Sequence, residues 1–149
     1  MEKAKQYQRI YLQLGQLLTK SNDFEARMSS VVAVLHHKMK GFCWTGFYCL
    51  RDEKLIVRTY QGPVACMELK KNTGVCWAGI NQQKTIVVPD VELFPGHIAC
   101  YSRSRSEIVV PLFDKNINQI IGVLDIDSKE LSNFDHIDAE WLEKIVSLI

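Results

Sequence analysis

The sequence predicts an α+β domain in which helices at both ends back an antiparallel sheet of about five to six strands. Three observations carry this. Apolar residues recur at helical spacing near both ends of the chain, aromatic and β-branched runs fill the middle, and the turns between adjacent runs are short enough for hairpins. Hairpin connections make neighbouring strands antiparallel.

Tyr7, Ile10, Tyr11, Leu14, Leu17 and Leu18 form the stripe of a first amphipathic helix that stops near Ser21 and Asn22. Asn22 or Asp23 can cap a second helix, with Phe24, Met28, Val31, Val32, Leu35 and Met39 as its buried face and Gly41 placed to end it. Phe42 to Leu50 and Lys54 to Tyr60 read as a hairpin turning at Arg51-Asp52-Glu53. Side chains alternate along a strand, so Trp44 and Tyr48 share one face while Cys43, Phe47 and Cys49 take the other. Between Gln61 and Ser106 the chain carries most of its glycine and proline, with a short helix around Gly74 to Asn81 and a strand at Thr85 to Val88. Long loops of this kind in a compact domain usually carry function. Glu107 to Phe113 and Ile120 to Asp127 form a second hairpin, and Asp135 and Asp138 open a last helix striped by Ile137, Trp141, Leu142, Ile145 and Leu148.

At 149 residues the chain is long enough for one domain over 1–149 with its own core. Hydrophobic residues at 47% and charged residues at 23% are ordinary globular composition and exclude a disordered class. A net charge of +1 without a basic run gives no footprint for nucleic acid or an anionic membrane, so a small uncharged or zwitterionic ligand fits better. No stretch reaches the length of a membrane span, and Met1-Glu-Lys-Ala-Lys-Gln lacks the apolar core of a signal peptide; a cytoplasmic location is expected. In that compartment five cysteines predict transient or catalytic pairing rather than a permanent framework.

Three of those cysteines sit in segments dense with turn residues: Gly62-Pro-Val-Ala-Cys66, Thr73-Gly-Val-Cys76 and Phe94-Pro-Gly-His-Ile-Ala-Cys100. A thiol on a mobile, partly exposed loop can do redox or nucleophilic chemistry, whereas one in an apolar run packs as a small hydrophobe. Asp125 and Asp127 alternate with Leu124 and Ile126, so two carboxylates project from one strand face about 7 Å apart. Asp is a poor strand residue, and paired carboxylates on a closed face split their pKa values so that one becomes a proton donor. The alternative is a solvated face. Glu107 joins the acidic face if the two strands pair, and otherwise is an edge charge for Arg103 or Arg105. Cys66, Cys76, His97 and Cys100 make a weak zinc set because they include no short Cys-x2-4-Cys knuckle. Trp44 and Tyr48 are core or the wall of a pocket for a methyl-bearing group.

Trp44-Thr-Gly-Phe-Tyr48, Gln61-Gly-Pro-Val-Ala-Cys66, Gly74-Val-Cys76, Val88-Pro-Asp-Val91, Phe94-Pro-Gly-His-Ile-Ala-Cys100, Ser106-Glu-Ile-Val-Val-Pro111 and Ile121-Gly-Val-Leu-Asp-Ile-Asp-Ser128 together resemble the free methionine-(R)-sulfoxide reductases, which are stand-alone GAF domains. The resemblance implies a PAS-related GAF fold, Cys100 as the nucleophile, Cys66 as the main resolving thiol and Cys76 as a second. It also implies that Glu107, Asp125 and Asp127 bind the substrate's ammonium group and the sulfoxide oxygen, with Trp44 and Tyr48 around the methylthio end. Implied partners are free methionine sulfoxide and thioredoxin as reductant, with no metal or organic cofactor. The first helix offers a face for a homodimer. Two positions depart from the family pattern, Trp77 after the middle cysteine and Tyr101 after the nucleophile. A GAF sensor of small molecules or redox state, without turnover, is the alternative reading.

Overall fold

The computed structural model describes residues 2–97 and 103–149. Its helices are α1 (Glu2–Leu17), α2 (Phe24–Lys38), α3 (Gly74–Gln82) and α4 (His136–Val146). Its strands are β1 (Trp44–Arg51), β2 (Lys54–Gln61), β3 (Glu68–Leu69), β4 (Ile86–Val88), β5 (Ser106–Asp114) and β6 (Gln119–Ser128). They form one antiparallel sheet in the order β3-β2-β1-β6-β5-β4, as the α+β prediction requires.

Local chemistry sets the element ends. Asp23 caps α2 by accepting from the backbone N–H of Ala26 at 2.8 Å. Asp135 and Asp138 complete a reciprocal capping box at α4. The β1–β2 turn places Asp52 at φ 51° and Glu53 at φ 63°, the doubly left-handed geometry that matches the twist of a tight hairpin.

The sheet separates two apolar clusters. On one face α1, α2 and α4 cover Phe47, Ile108, Val110, Leu112, Leu124 and Ile126. This side also buries one polar knot: Asp138 accepts from the Tyr7 hydroxyl at 2.6 Å, from Lys3 Nζ at 2.7 Å and from the Asp135 backbone N–H at 2.8 Å. Every Asp138 oxygen is therefore satisfied, and α1 is fastened to α4. On the other face α3 packs with Trp44, Tyr48, Leu55, Leu69, Val109 and Val123. Gly79 allows the close approach, because a Cβ there would meet Val109 Cγ1 at 2.7 Å.

Some sequence expectations need correction. Phe24 and Leu17 lie in predicted stripes but are 36% and 39% exposed; Phe24 is the first residue of α2, and the core takes up that stripe only from Met28 onward. Tyr11 and Trp141 are half-buried and pack on each other at 6.1 Å between centroids. Helix α2 ends with Met39 in an extended conformation, and the left-handed Gly41 turns the chain two residues later. Strand β3 was not predicted: two residues, paired through Leu55 and Leu69, carry no periodicity.

Candidate active site

Register brings the acidic residues together. Glu107 on β5 pairs with Asp127 on β6, Val109 pairs with Asp125, and β1 aligns Trp44 with Asp127 and Gly46 with Asp125. Glu107, Asp125 and Asp127 therefore stand on the α3 face, between the two expected pocket aromatics and the helix. All three are buried, which rules out both the solvated face and the edge ion pair. Burial raises the pKa of each, and the Asp125 charge raises Glu107 and Asp127 further. Ser104 Oγ donates to Asp127 Oδ1 at 3.0 Å and partly offsets that rise. Asp125 Oδ1 is fully buried with no hydrogen-bond partner among the described residues. A carboxyl cluster held in this way binds protons more tightly than free carboxylates do and can donate them.

The aromatic wall is bound to the chain segment that follows β2. Trp44 stacks between Tyr48 and Tyr60, with centroids 5.9 and 5.2 Å away. Gly46 makes the space, since a Cβ there would lie 2.6 Å from the Trp44 ring and 2.3 Å from Tyr60 Cβ. Trp44 Nε1 donates to the Pro63 carbonyl at 3.1 Å, and the Tyr48 hydroxyl donates to the Cys66 carbonyl at 2.9 Å. Gly62, at φ 122°, permits the tight crossing over Cys43 O. Cys66 is half-buried and disulfide-bonded.

Cys76 corrects the expectation of a loop thiol. It sits in the first turn of α3, buried, and burial with the facing carboxyls raises its thiol pKa well above normal. Its Sγ and oxygens of Glu107 and Asp125 lie within 4.8 Å of one another. Trp77 points away from this cluster into the apolar layer, where its Nε1 donates to Leu69 O at 3.1 Å and helps hold β3. The bulk of Trp77 is thus absorbed beneath the site. Cys49 packs in the opposite cluster with its pKa raised to about 11 by burial, as expected of a packing thiol. Cys43 Sγ donates to Asp127 O at 3.2 Å.

A cavity of about 50 Å³ opens among these groups, with His97 and Thr73 at its edge. Burial lowers the pKa of His97, so its imidazole is neutral there. Ser104, Thr73 and His97 were not assigned to an acidic site from sequence; they lie at element ends, where no periodicity marks them. Cys100 and Tyr101 lie outside the described residues.

The chain matches the family model described as GAF domain over residues 21–149. It is 36% identical over 147 residues to the free methionine-R-sulfoxide reductase of Escherichia coli (strain K12), covering 99% of this chain and 88% of that protein. The enzyme of the same name from Saccharomyces cerevisiae is 39% identical over 129 residues, covering 82% of this chain and 71% of the yeast protein. The X-ray structure of free methionine-R-sulfoxide reductase from Neisseria meningitidis in complex with its substrate superposes with a TM-score of 0.94 at 37% identity, over 99% of this chain and 88% of that one. The family match over residues 21–149, together with relatives at 36% and 39% identity, shows that the chain belongs to the free methionine-R-sulfoxide reductase family of GAF domains.

Proposed function

We propose that this protein reduces free L-methionine-(R)-sulfoxide to methionine. The observation that carries the reading is the buried trio Glu107, Asp125 and Asp127, with Asp125 Oδ1 unpartnered among the described residues, behind the Trp44–Tyr48 wall, whose segment 61–67 holds the disulfide-bonded Cys66. A free amino acid supplies what that pocket lacks. Its ammonium offers donors to Asp125, its methyl group fits the aromatic wall, and its sulfoxide oxygen accepts a proton from a neutral carboxyl.

The Cys100 thiolate attacks the sulfoxide sulfur, the oxygen transfers to the cysteine, and a carboxyl proton completes the products, methionine and the Cys100 sulfenic acid. The Cys66 thiol then attacks that sulfur, forming a Cys66–Cys100 disulfide and expelling water. A dithiol such as thioredoxin reduces the disulfide by exchange and is itself oxidised. Cys76 serves as a second resolving thiol.

The disulfide-bonded state of Cys66 and a cavity with room for only a few waters support reading this conformation as the oxidised, closed end of the cycle. Admission of substrate follows reduction and withdrawal of segment 61–67. Incubating the protein with each epimer of free methionine sulfoxide and the thioredoxin system tests this. Methionine forms from the R epimer alone, and Cys100→Ser abolishes turnover. Equal turnover by Cys100→Ser, or none with the wild-type chain, refutes the reading.

A further inference from the structure

We propose that Cys76, Glu107 and Asp125 form an inhibitory binding site for a thiophilic divalent cation of the zinc class. Three elements converge on it. Cys76 comes from the first turn of α3, Glu107 from β5 and Asp125 from β6, and their ligand atoms lie within 4.8 Å of one another. In a tetrahedral zinc shell, with Zn–S about 2.3 Å and Zn–O about 2.0–2.2 Å, neighbouring ligand atoms stand roughly 3.3–3.7 Å apart. A small inward closure of the three side chains therefore completes the site, and the cavity leaves a fourth position open.

A second, independent observation points to a ligand. Asp125 is 6% exposed, lines the cavity, and its Oδ1 has no hydrogen-bond partner among the described residues. An unpartnered buried carboxyl oxygen costs free energy that a bound cation recovers. No lysine or arginine among the described residues lines this cavity to do so internally. Asp127, held by Ser104, adds a further acidic group beside the triplet.

The donor set selects the metal. Calcium and magnesium take oxygen ligands and leave a thiolate unused, whereas zinc and its spectroscopic substitute cobalt(II) accept one sulfur with two carboxylate oxygens. Binding displaces the thiol proton and any proton held on the Glu107 and Asp125 carboxyls, since thiolate and carboxylate are the ligands. Cys76 is a free thiol while Cys66 is disulfide-bonded, so the site exists in the oxidised protein and metal binding needs no reductant. The cation occupies the acidic face that the proposed reaction gives to the substrate's ammonium group, and the two exclude each other.

Titrating the full-length oxidised protein with cobalt(II), without added thiols, tests the site. A thiolate-to-cobalt charge-transfer band and tetrahedral visible bands grow to one equivalent, and zinc displaces them. Loss of a group that merely orients a metal ligand already weakens binding about 10–100-fold, so Asp125→Asn weakens cobalt at least about tenfold. Cys76→Ser removes the charge-transfer band. Cys49→Ser, a thiol on the other face of the sheet, leaves it unchanged. A band that survives Cys76→Ser, wild-type protein with no band, or unchanged cobalt affinity in folded Asp125→Asn each overturns the proposal. Zinc inhibition of sulfoxide reduction, competitive with substrate, is a separate readout. A protein that shows the cobalt band but never forms methionine refutes the reductase reading alone, and one that turns over without a band refutes the metal site alone.

Discussion

Asp138 and Asp125 are buried to nearly the same degree on opposite faces of one sheet, and they have opposite surroundings. Asp138 receives Tyr7, Lys3 and a backbone N–H, so it is paired and structural. Asp125 has the titratable groups Glu107 and Cys76 as hydrogen-bonding neighbours, with Asp127 close by, and its Oδ1 has no partner among the described residues. The difference separates a carboxylate whose oxygens are all engaged in fastening the fold from one with an oxygen left over. Burial alone does not distinguish them; the inventory of donors does.

Replacement of each aspartate is the sharpest test of that contrast. Asp125→Asn lowers kcat/KM for free methionine-(R)-sulfoxide by about 10²–10⁴ while the melting temperature holds or rises, measured by methionine release and calorimetry. Asp138→Ala does the reverse. It strands the Lys3 ammonium and the Tyr7 hydroxyl and destabilises the chain by about 3–5 kcal/mol in urea titration, with turnover per folded molecule unchanged. Equal stability losses in the two variants break the comparison.

A smaller effect is expected in the pH dependence. The pKa values of Glu107 and Asp127 are raised in the folded state by burial and then by Asp125, so the fold holds protons that the unfolded chain releases. The associated stability is complete below the ordinary carboxylate range and is lost as pH rises from there through the folded values. Glu107→Gln removes one such site, so its melting temperature falls less than that of the wild type between about pH 5 and about pH 8. The gap between the two widens by the equivalent of about 1 kcal/mol for each step of one in pH over which the folded Glu107 keeps its proton. Tyr48→Phe is the mildest change. It removes one hydrogen bond to the Cys66 carbonyl, costs about 1 kcal/mol, and makes the Cys66 disulfide easier to reduce by about 20 mV in a redox titration.

The sequence exposed these two faces unequally. Period-two alternation placed Trp44 and Tyr48 opposite Phe47 and Cys49, and the unfavourable strand propensity of aspartate singled out Asp125 and Asp127. The alliance with Glu107 was conditional on pairing, because alternation gives the face of a residue but not its partner across the sheet; register supplied it. Burial of Cys76 and the inward turn of Trp77 depend on α3 lying flat on Val109 and Val123, a tertiary contact without a local signature. The Tyr7–Asp138 bond joins residues 131 positions apart and was equally invisible. Phe24 erred the other way, since helical spacing describes a stripe without saying how far the core extends beneath it.

The hydrogen bond from Trp44 Nε1 to the Pro63 carbonyl gives the protein an optical gauge. Indole emission follows the polarity around its ring, and Trp44 is one of three tryptophans. Trp77 is sealed against Leu69 and Trp141 lies on the far face of the sheet against Tyr11, so withdrawal of segment 61–67 wets the Trp44 ring alone. Chemical reduction of Cys66 therefore shifts the emission to the red without any added dye, and stopped-flow fluorescence follows the opening of the site in real time.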